Sequence, residues 1–254
     1  MAKKAKIIAV YSLKGGVGKT SLAVNLAAES AMQSGYKTLL WDLDPQAAAS
    51  YILGCDGTDK LEKSDGAHSI FTRDIDATAM TISTLVDGLH LLPADKSLRH
   101  IDRSLFELGK KRRVAKLTEE LAKEYDRIIL DCPPGLTELS EQIMRAADLI
   151  LVPVIPSALS RRALNDVIAH LRSQKSGNVP LLPIFAMVDR RRATHQASLA
   201  AEPVWPCIPM ASAVEQMAER RMPVRMFAPR SVAAEAFAAL WRGIDKKRGN
   251  ERRI

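Results

Sequence analysis

The chain has 254 residues, 47% hydrophobic and 26% charged, with 37 Lys+Arg against 29 Asp+Glu, which describes a single globular domain over 1–254 able to bury a core without a disulfide or metal staple. Its three cysteines, Cys55, Cys132 and Cys207, contain no Cys-x-x-Cys pair, which argues against a disulfide framework, a zinc ribbon or an intrachain iron–sulfur cluster and fits a reducing, cytoplasmic compartment. No apolar run approaches the roughly 18 residues of a membrane span, so no membrane partner is expected.

Lys3, Lys4 and Lys6 precede an apolar stretch, Ile7 to Leu13, that is short and runs directly into Lys14 and two glycines; it reads as a buried first strand rather than a signal peptide. After this strand, Lys6 to Ser12, comes Lys14-Gly15-Gly16-Val17-Gly18-Lys19-Thr20, followed by Ser21 and a helical pattern to Ser34 that Gly35 ends. Strand, glycine-rich loop and helix form the setting of a phosphate loop. Glycines let backbone N–H groups converge on phosphate oxygens, and the helix N-terminus adds partial positive charge. Lys19 is then placed to reach the terminal phosphates, and the Thr20 hydroxyl to ligate Mg²⁺. Leu13 stands where the common pattern has its first glycine, and Lys14 is an additional cation.

A second strand, Lys37 to Asp42, leads into Asp42-Leu43-Asp44-Pro45-Gln46, and Gly54 to Gly66 reads as a mobile loop. Further strands are expected at Leu89 to Pro93, Arg127 to Cys132, Leu149 to Val154, Leu181 to Val188 and Val204 to Ile208. Helices are expected at Ser97 to Leu108, Val114 to Glu124, Glu138 to Ala147, Ser160 to Gln174 and Ser231 to Ile244, with a basic tail from about residue 245 to 254. Most of the strands are apolar throughout, as strands covered on both faces require. The alternation predicts an α/β fold: a doubly wound, mainly parallel sheet with helices on both faces, binding its ligand at the carboxyl ends of the strands. Asp131-Cys132-Pro133-Pro134-Gly135 comes after the strand residues Arg127 to Leu130; Cys132 reads as a small buried residue rather than a nucleophile.

The order of these segments resembles the ParA/MinD family of deviant Walker A ATPases, from about Lys6 to Ile244, and most closely its small ParA-type partitioning members. The resemblance implies that Lys14 reaches the nucleotide of a second subunit, so that ATP controls a homodimer. It further implies that Lys14 through Ser21 bind nucleotide, that Asp44 positions the attacking water, and that Thr20, Asp44 and Asp131 surround Mg²⁺. Guanine-specific domains carry Asn-Lys-x-Asp where this chain has Ala186-Met187-Val188-Asp189, so ATP is the expected nucleotide, with adenine read from elsewhere than Met187.

The net charge of +8 is uneven: Arg190 to Ile254 carries 13 basic and 6 acidic residues, and Arg99 to Lys116 seven and two. Two such clusters suggest an acidic polymer as partner. With aromatics at 5%, duplex phosphates are a better fit than stacked single strands. By the resemblance, Arg190, Arg191, Arg192, Arg220, Arg221 and Arg225 are the candidates to contact non-specific double-stranded DNA. A nucleoid-associated ATPase that positions a cargo and is triggered by a partner protein is the implied function. The alternatives are a MinD-like membrane-associated regulator, which would use a C-terminal amphipathic helix, and a metabolic enzyme of the same fold.

Overall fold

The computed structural model describes residues 6–55, 66–73, 75–173 and 179–250. Strands β1 (Lys6–Val10), β2 (Thr38–Asp42), β3 (Ile82–Ser83), β4 (Leu89–Leu92), β5 (Arg127–Asp131), β6 (Leu149–Val154), β7 (Leu181–Val188) and β8 (Cys207–Pro209) form one sheet in the order β3-β4-β2-β5-β1-β6-β7-β8. All pairings are parallel except β3 with β4, an antiparallel edge that the sequence does not announce because β3 has only two residues. Every residue of β2 and β5 is buried, which explains the apolar runs Leu39–Trp41 and Ile128–Leu130 at their centres.

The helices are α1 (Lys19–Ser34), α2 (Ala48–Ile52), α3 (Ser69–Thr72), α4 (Ile101–Glu107), α5 (Arg113–Leu121), α6 (Glu138–Ala146), α7 (Ala158–Ser173), α8 (Ala193–Ala201), α9 (Ser212–Glu215), α10 (Met217–Arg220), α11 (Val224–Phe227) and α12 (Val232–Asn250). One core cluster joins α3 through α7 to the sheet, through Phe71, Leu105, Leu117, Ile143 and Leu164. The other joins α1, α2 and α10 through α12, through Leu26, Ile52, Met217, Phe237 and Trp241. The sheet is therefore covered on both faces, as expected. Far from the strands' carboxyl ends, Arg127 pairs with Asp245 at 3.2 Å and lies 3.7 Å from the Tyr36 ring centroid. Trp241 Nε1 donates to Ser34 Oγ at 2.8 Å. These contacts fasten α12 to the end of α1.

Several boundaries differ from the sequence reading. The expected helix Ser97 to Leu108 is divided into a 3₁₀ turn, Lys96–His100, and α4, because the Asp95 side chain accepts from Ser97 N and fixes a turn there. The last strand starts at Cys207 rather than Val204, since Trp205 N donates to Glu202 O and that stretch is a turn. The expected tail from residue 245 is helical through Asn250, where α12 continues without a break. Most of the expected mobile loop, together with residues 251–254, lies outside the described residues.

Candidate nucleotide-binding site

The carboxyl end of β1 leads into Lys14–Thr20 before α1 begins. Gly16 and Gly18 have left-handed φ values of 70° and 88°, a conformation that a side chain would resist, and Gly18 precedes α1 without any side-chain cap. The first N–H groups of the helix are thus left for a ligand. A Cβ built on Gly15 or Gly16 meets no atom within 4 Å, so the outer side of the loop is open. Val17, 2% exposed, pins the loop to the core. Lys19 is only 7% exposed, and its Nζ donates back to Lys14 O at 3.2 Å. Lys14 is half-buried, and its own N–H donates to Ser12 Oγ.

Asp42 and Asp131 are register partners at the carboxyl ends of β2 and β5, and both are fully buried. Asp42 accepts from Ser50 N and Ser50 Oγ, each at 2.8 Å, and from Asp44 N at 3.1 Å. Burial pushes its carboxyl up to about 6, the effect of its three donors notwithstanding. Asp131 differs. Neither of its oxygens accepts a well-formed hydrogen bond, and burial first, then the charge of Asp42, holds its carboxyl well above the usual range, while Thr20 and Lys19 act in the opposite direction. Such an orphaned carboxylate beside a threonine hydroxyl fits a hard cation with oxygen ligands. Cys132 is fully buried with its thiol pushed up by burial, which makes it inert, as expected.

Asp44 is half-buried and accepts from Gln46 N at 2.9 Å, turning the chain toward Ala47, whose φ of 52° is unusual for a side-chain-bearing residue. Asp44, Pro45 and Gln46 face Pro133 and Pro134 across a cavity of about 330 Å³, which Leu98, Arg99 and Asp102 close from the other side. Tyr11, fully buried, donates its hydroxyl to Gly135 O at 2.9 Å and fixes the loop after Asp131. On the far side of the phosphate loop, the Met187 Cε lies 3.6 Å from a Cβ built on Gly18, and Met187 itself has a φ of 53°. Beyond it, Val188 through Arg191 and Met210 through Ser212 border an open cavity of about 420 Å³.

The sequence profile of the AAA domain family matches residues 5–181. The chain is 32% identical over 191 residues to the sporulation initiation inhibitor protein Soj of Bacillus subtilis, covering 73% of this chain and 74% of that one. It is 30% identical to the chromosome-partitioning ATPase Soj of Thermus thermophilus, covering 93% and 94%. The chain belongs to the ParA/MinD family of P-loop ATPases. Among solved structures, cobyrinic acid a,c-diamide synthase from Mycobacterium smegmatis, bound to an ATP analog and magnesium, superposes with a TM-score of 0.77 at 25% identity, covering 94% of each chain.

Within this family member the six arginines expected on a DNA-facing surface are not equivalent. Arg225 donates to Glu29 at 2.6 Å; Glu29 is 2% exposed, so this partly exposed arginine neutralises a buried acid. Arg221, with a φ of 54°, donates to Tyr51 O and lies over the Tyr51 ring. Arg191 forks onto Asp189 at 2.9 and 3.0 Å and pulls that carboxyl down to about 2. Arg190 borders the 420 Å³ cavity, Arg192 precedes α8, and Arg220 lies over Phe227 at the end of α10. Sequence reasoning assigned no role to Asp42, Ser50, Tyr11 or His195. Asp42 could have been found, because Asp-x-Asp at a strand end offers two carboxylates. His195, which accepts from Asp189 N at 3.0 Å through Nδ1 and steadies the arginine loop, has no local signal.

Proposed function

We propose that this chain is a ParA-type ATPase that dimerises on Mg²⁺–ATP, binds double-stranded DNA without sequence preference, and releases it after hydrolysis stimulated by a partner protein, so positioning a cargo on the nucleoid. The observation that carries the reading is the presence, in one site, of a second loop lysine, Lys14, and a buried Asp131 whose oxygens accept no well-formed hydrogen bond and which Thr20 and Lys19 influence. Bound Mg²⁺–ATP would supply the electrophilic γ-phosphorus and a dication that neutralises phosphate charge. The glycine loop and the α1 N-terminus would hold the phosphates, Thr20 and Asp131 would hold the cation, and Ser21 borders the same loop. Asp44 orients the attacking water and accepts its proton, so that ATP and water give ADP, phosphate and one proton. Lys19, with Lys14 supplied by the second subunit, neutralises charge on the transferred group. DNA contact falls to Arg190, Arg192 and Arg220, with Arg191, Arg221 and Arg225 shaping the surface from which they project. Dimerisation doubles that surface, which makes weak phosphate affinity bivalent only when nucleotide is bound.

A mobility-shift titration with ATP, ADP and no nucleotide tests the coupling, with a shift expected under ATP alone. Asp44→Ala is expected to abolish turnover and leave the ATP-dependent shift intact; equal binding under all three conditions refutes the proposal. The likeness to a synthase sustains a second reading as a metabolic ATP-dependent enzyme. DNA binding absent in every nucleotide state would favour it.

A further inference from the structure

The basic cluster between α4 and α5 is not used by the nucleotide site. Gly109, with a φ of 61°, ends α4, and the turn that follows encloses an open cavity of about 410 Å³ bordered by Gly109, Lys110, Lys111, Arg112, Arg113 and Lys116. Two of these cations serve the fold. Lys110 Nζ donates to Phe71 O and Thr72 O at 3.3 and 3.0 Å, and Arg113 Nη2 to Ile70 O and Arg73 O at 2.6 and 2.7 Å. Together they satisfy the carbonyl end of α3. Lys111, Arg112 and Lys116 are exposed, and their side chains have no partner among the described residues. Beside them Phe106 is 82% exposed and Leu108 50%. On α4, Glu107 pairs with Arg103 at 2.7 Å and Asp102 accepts from Leu139 N at 2.8 Å, while Glu119 and Glu120 of α5 are exposed.

This turn is tied to the helix that follows the Asp131 loop. Gln142 of α6, 2% exposed, accepts from Arg113 N and Val114 N and donates to Lys110 O at 2.8 Å. Asp102 of α4 holds the first turn of α6 through Leu139 N. The turn is therefore joined to α6 through the buried Gln142 side chain, and α4 is joined to the same helix through the Asp102 carboxylate.

We propose that the α4–α5 turn docks an acidic peptide segment studded with apolar side chains, belonging to a partner protein, and that α6 conveys its binding to the Asp131 loop. The docking half stands on charge complementarity at the turn; the second half rests on the ATPase reading above. Duplex DNA would meet the cations but has no use for the exposed Phe106 and Leu108, whereas a peptide carries both carboxylates and apolar groups. Two isolated apolar side chains on a tight turn are also too small a face to hold a membrane.

The test uses the full chain and a fluorescent peptide of about twelve residues alternating Glu with Leu and Phe, with a DNA duplex and anionic phosphatidylglycerol vesicles as comparison probes. The triple variant K111E/R112E/K116E is expected to lose peptide affinity by about tenfold or more and Phe106→Ser by about threefold, each keeping duplex affinity within about twofold. Acidic residues at the start of α5 suit its dipole, and an unchanged unfolding temperature confirms that the variants fold. Saturating peptide is expected to change ATP turnover of the unmodified chain by about twofold or more and to leave the triple variant unaffected. Unchanged peptide affinity in the triple variant, or loss of duplex or vesicle binding in place of peptide binding, overturns the docking site. Peptide binding with unaltered turnover overturns the role of α6. A chain that binds peptide but does not hydrolyse ATP keeps the docking site and defeats the ATPase reading instead.

Discussion

Replacing Asp131 by Asn should make the nucleotide-free protein more stable while disabling it. A buried carboxyl whose folded-state pKa is raised holds its proton more tightly in the folded chain than in the unfolded one. Its contribution to stability is thus complete below the unfolded value and is lost as pH rises through the folded one. For Asp42 that window runs from its ordinary 3.8 to about 6. Two units at about 1.4 kcal/mol each give a loss on the order of 3 kcal/mol at neutral pH. Asp131 is raised in the same direction, first by burial and then by the charge of Asp42, and its oxygens accept no well-formed hydrogen bond that Asn would forfeit. Asn at 131 removes one of the two charges, and a gain of about 2 kcal/mol follows, which corresponds to roughly 4–8 °C in Tm for a chain of this length. Thermal unfolding without nucleotide at pH 5 and pH 8 measures it, with the larger gain expected at pH 8. Added Mg²⁺ and ATP should then stabilise the unmodified protein and leave the variant nearly unchanged. A variant less stable than its parent at pH 8, or the same difference at both pH values, would refute the reasoning.

Arg225→Ala strands the buried Glu29 carboxylate and is expected to cost about 3 kcal/mol by denaturant unfolding. Arg192→Ala should leave stability within about 0.5 kcal/mol while weakening DNA binding under ATP. The reverse order of stability effects would return Arg225 to the DNA surface. Gly35 and Gly66 both have left-handed φ, but a Cβ meets nothing near Gly35 and lies 2.7 Å from Asp95 Oδ2 and Ser97 Oγ at Gly66. Gly35→Ala is accordingly expected to lower stability by about 1 kcal/mol and Gly66→Ala by more, in the same unfolding assay; equal losses would mean that the contacts at Gly66 yield without cost.

The central parallel strands were legible because they are buried on both faces, so that Ile128–Leu130 and Leu149–Val154 are apolar throughout, and the phosphate loop was legible because its chemistry depends on residues adjacent in the chain. Boundaries set by side-chain hydrogen bonds, such as the Asp95 turn that divides the expected helix before α4, were not. Neither was β3, where two residues carry no periodicity.

The site divides along the same line. Lys19 and Thr20 could be named from the local order of strand, glycine loop and helix, whereas Lys14, Asp44 and Asp131 are named through the resemblance to the family. That Asp42 faces Asp131, that Tyr11 holds Gly135 across 124 positions, and that Gln142 joins the basic turn to α6 are facts of pairing between distant segments. So is the fate of the arginines: thirteen basic residues from Arg190 onward look alike as a charge count, and only packing sends Arg225 to a buried acid while Arg192 remains at the surface. Local sequence determines which backbone shapes and which chemistries are available. Which charges end as partners and which remain free for a ligand is decided by tertiary contact, because burial and distance, rather than residue type, set the energy of a charge.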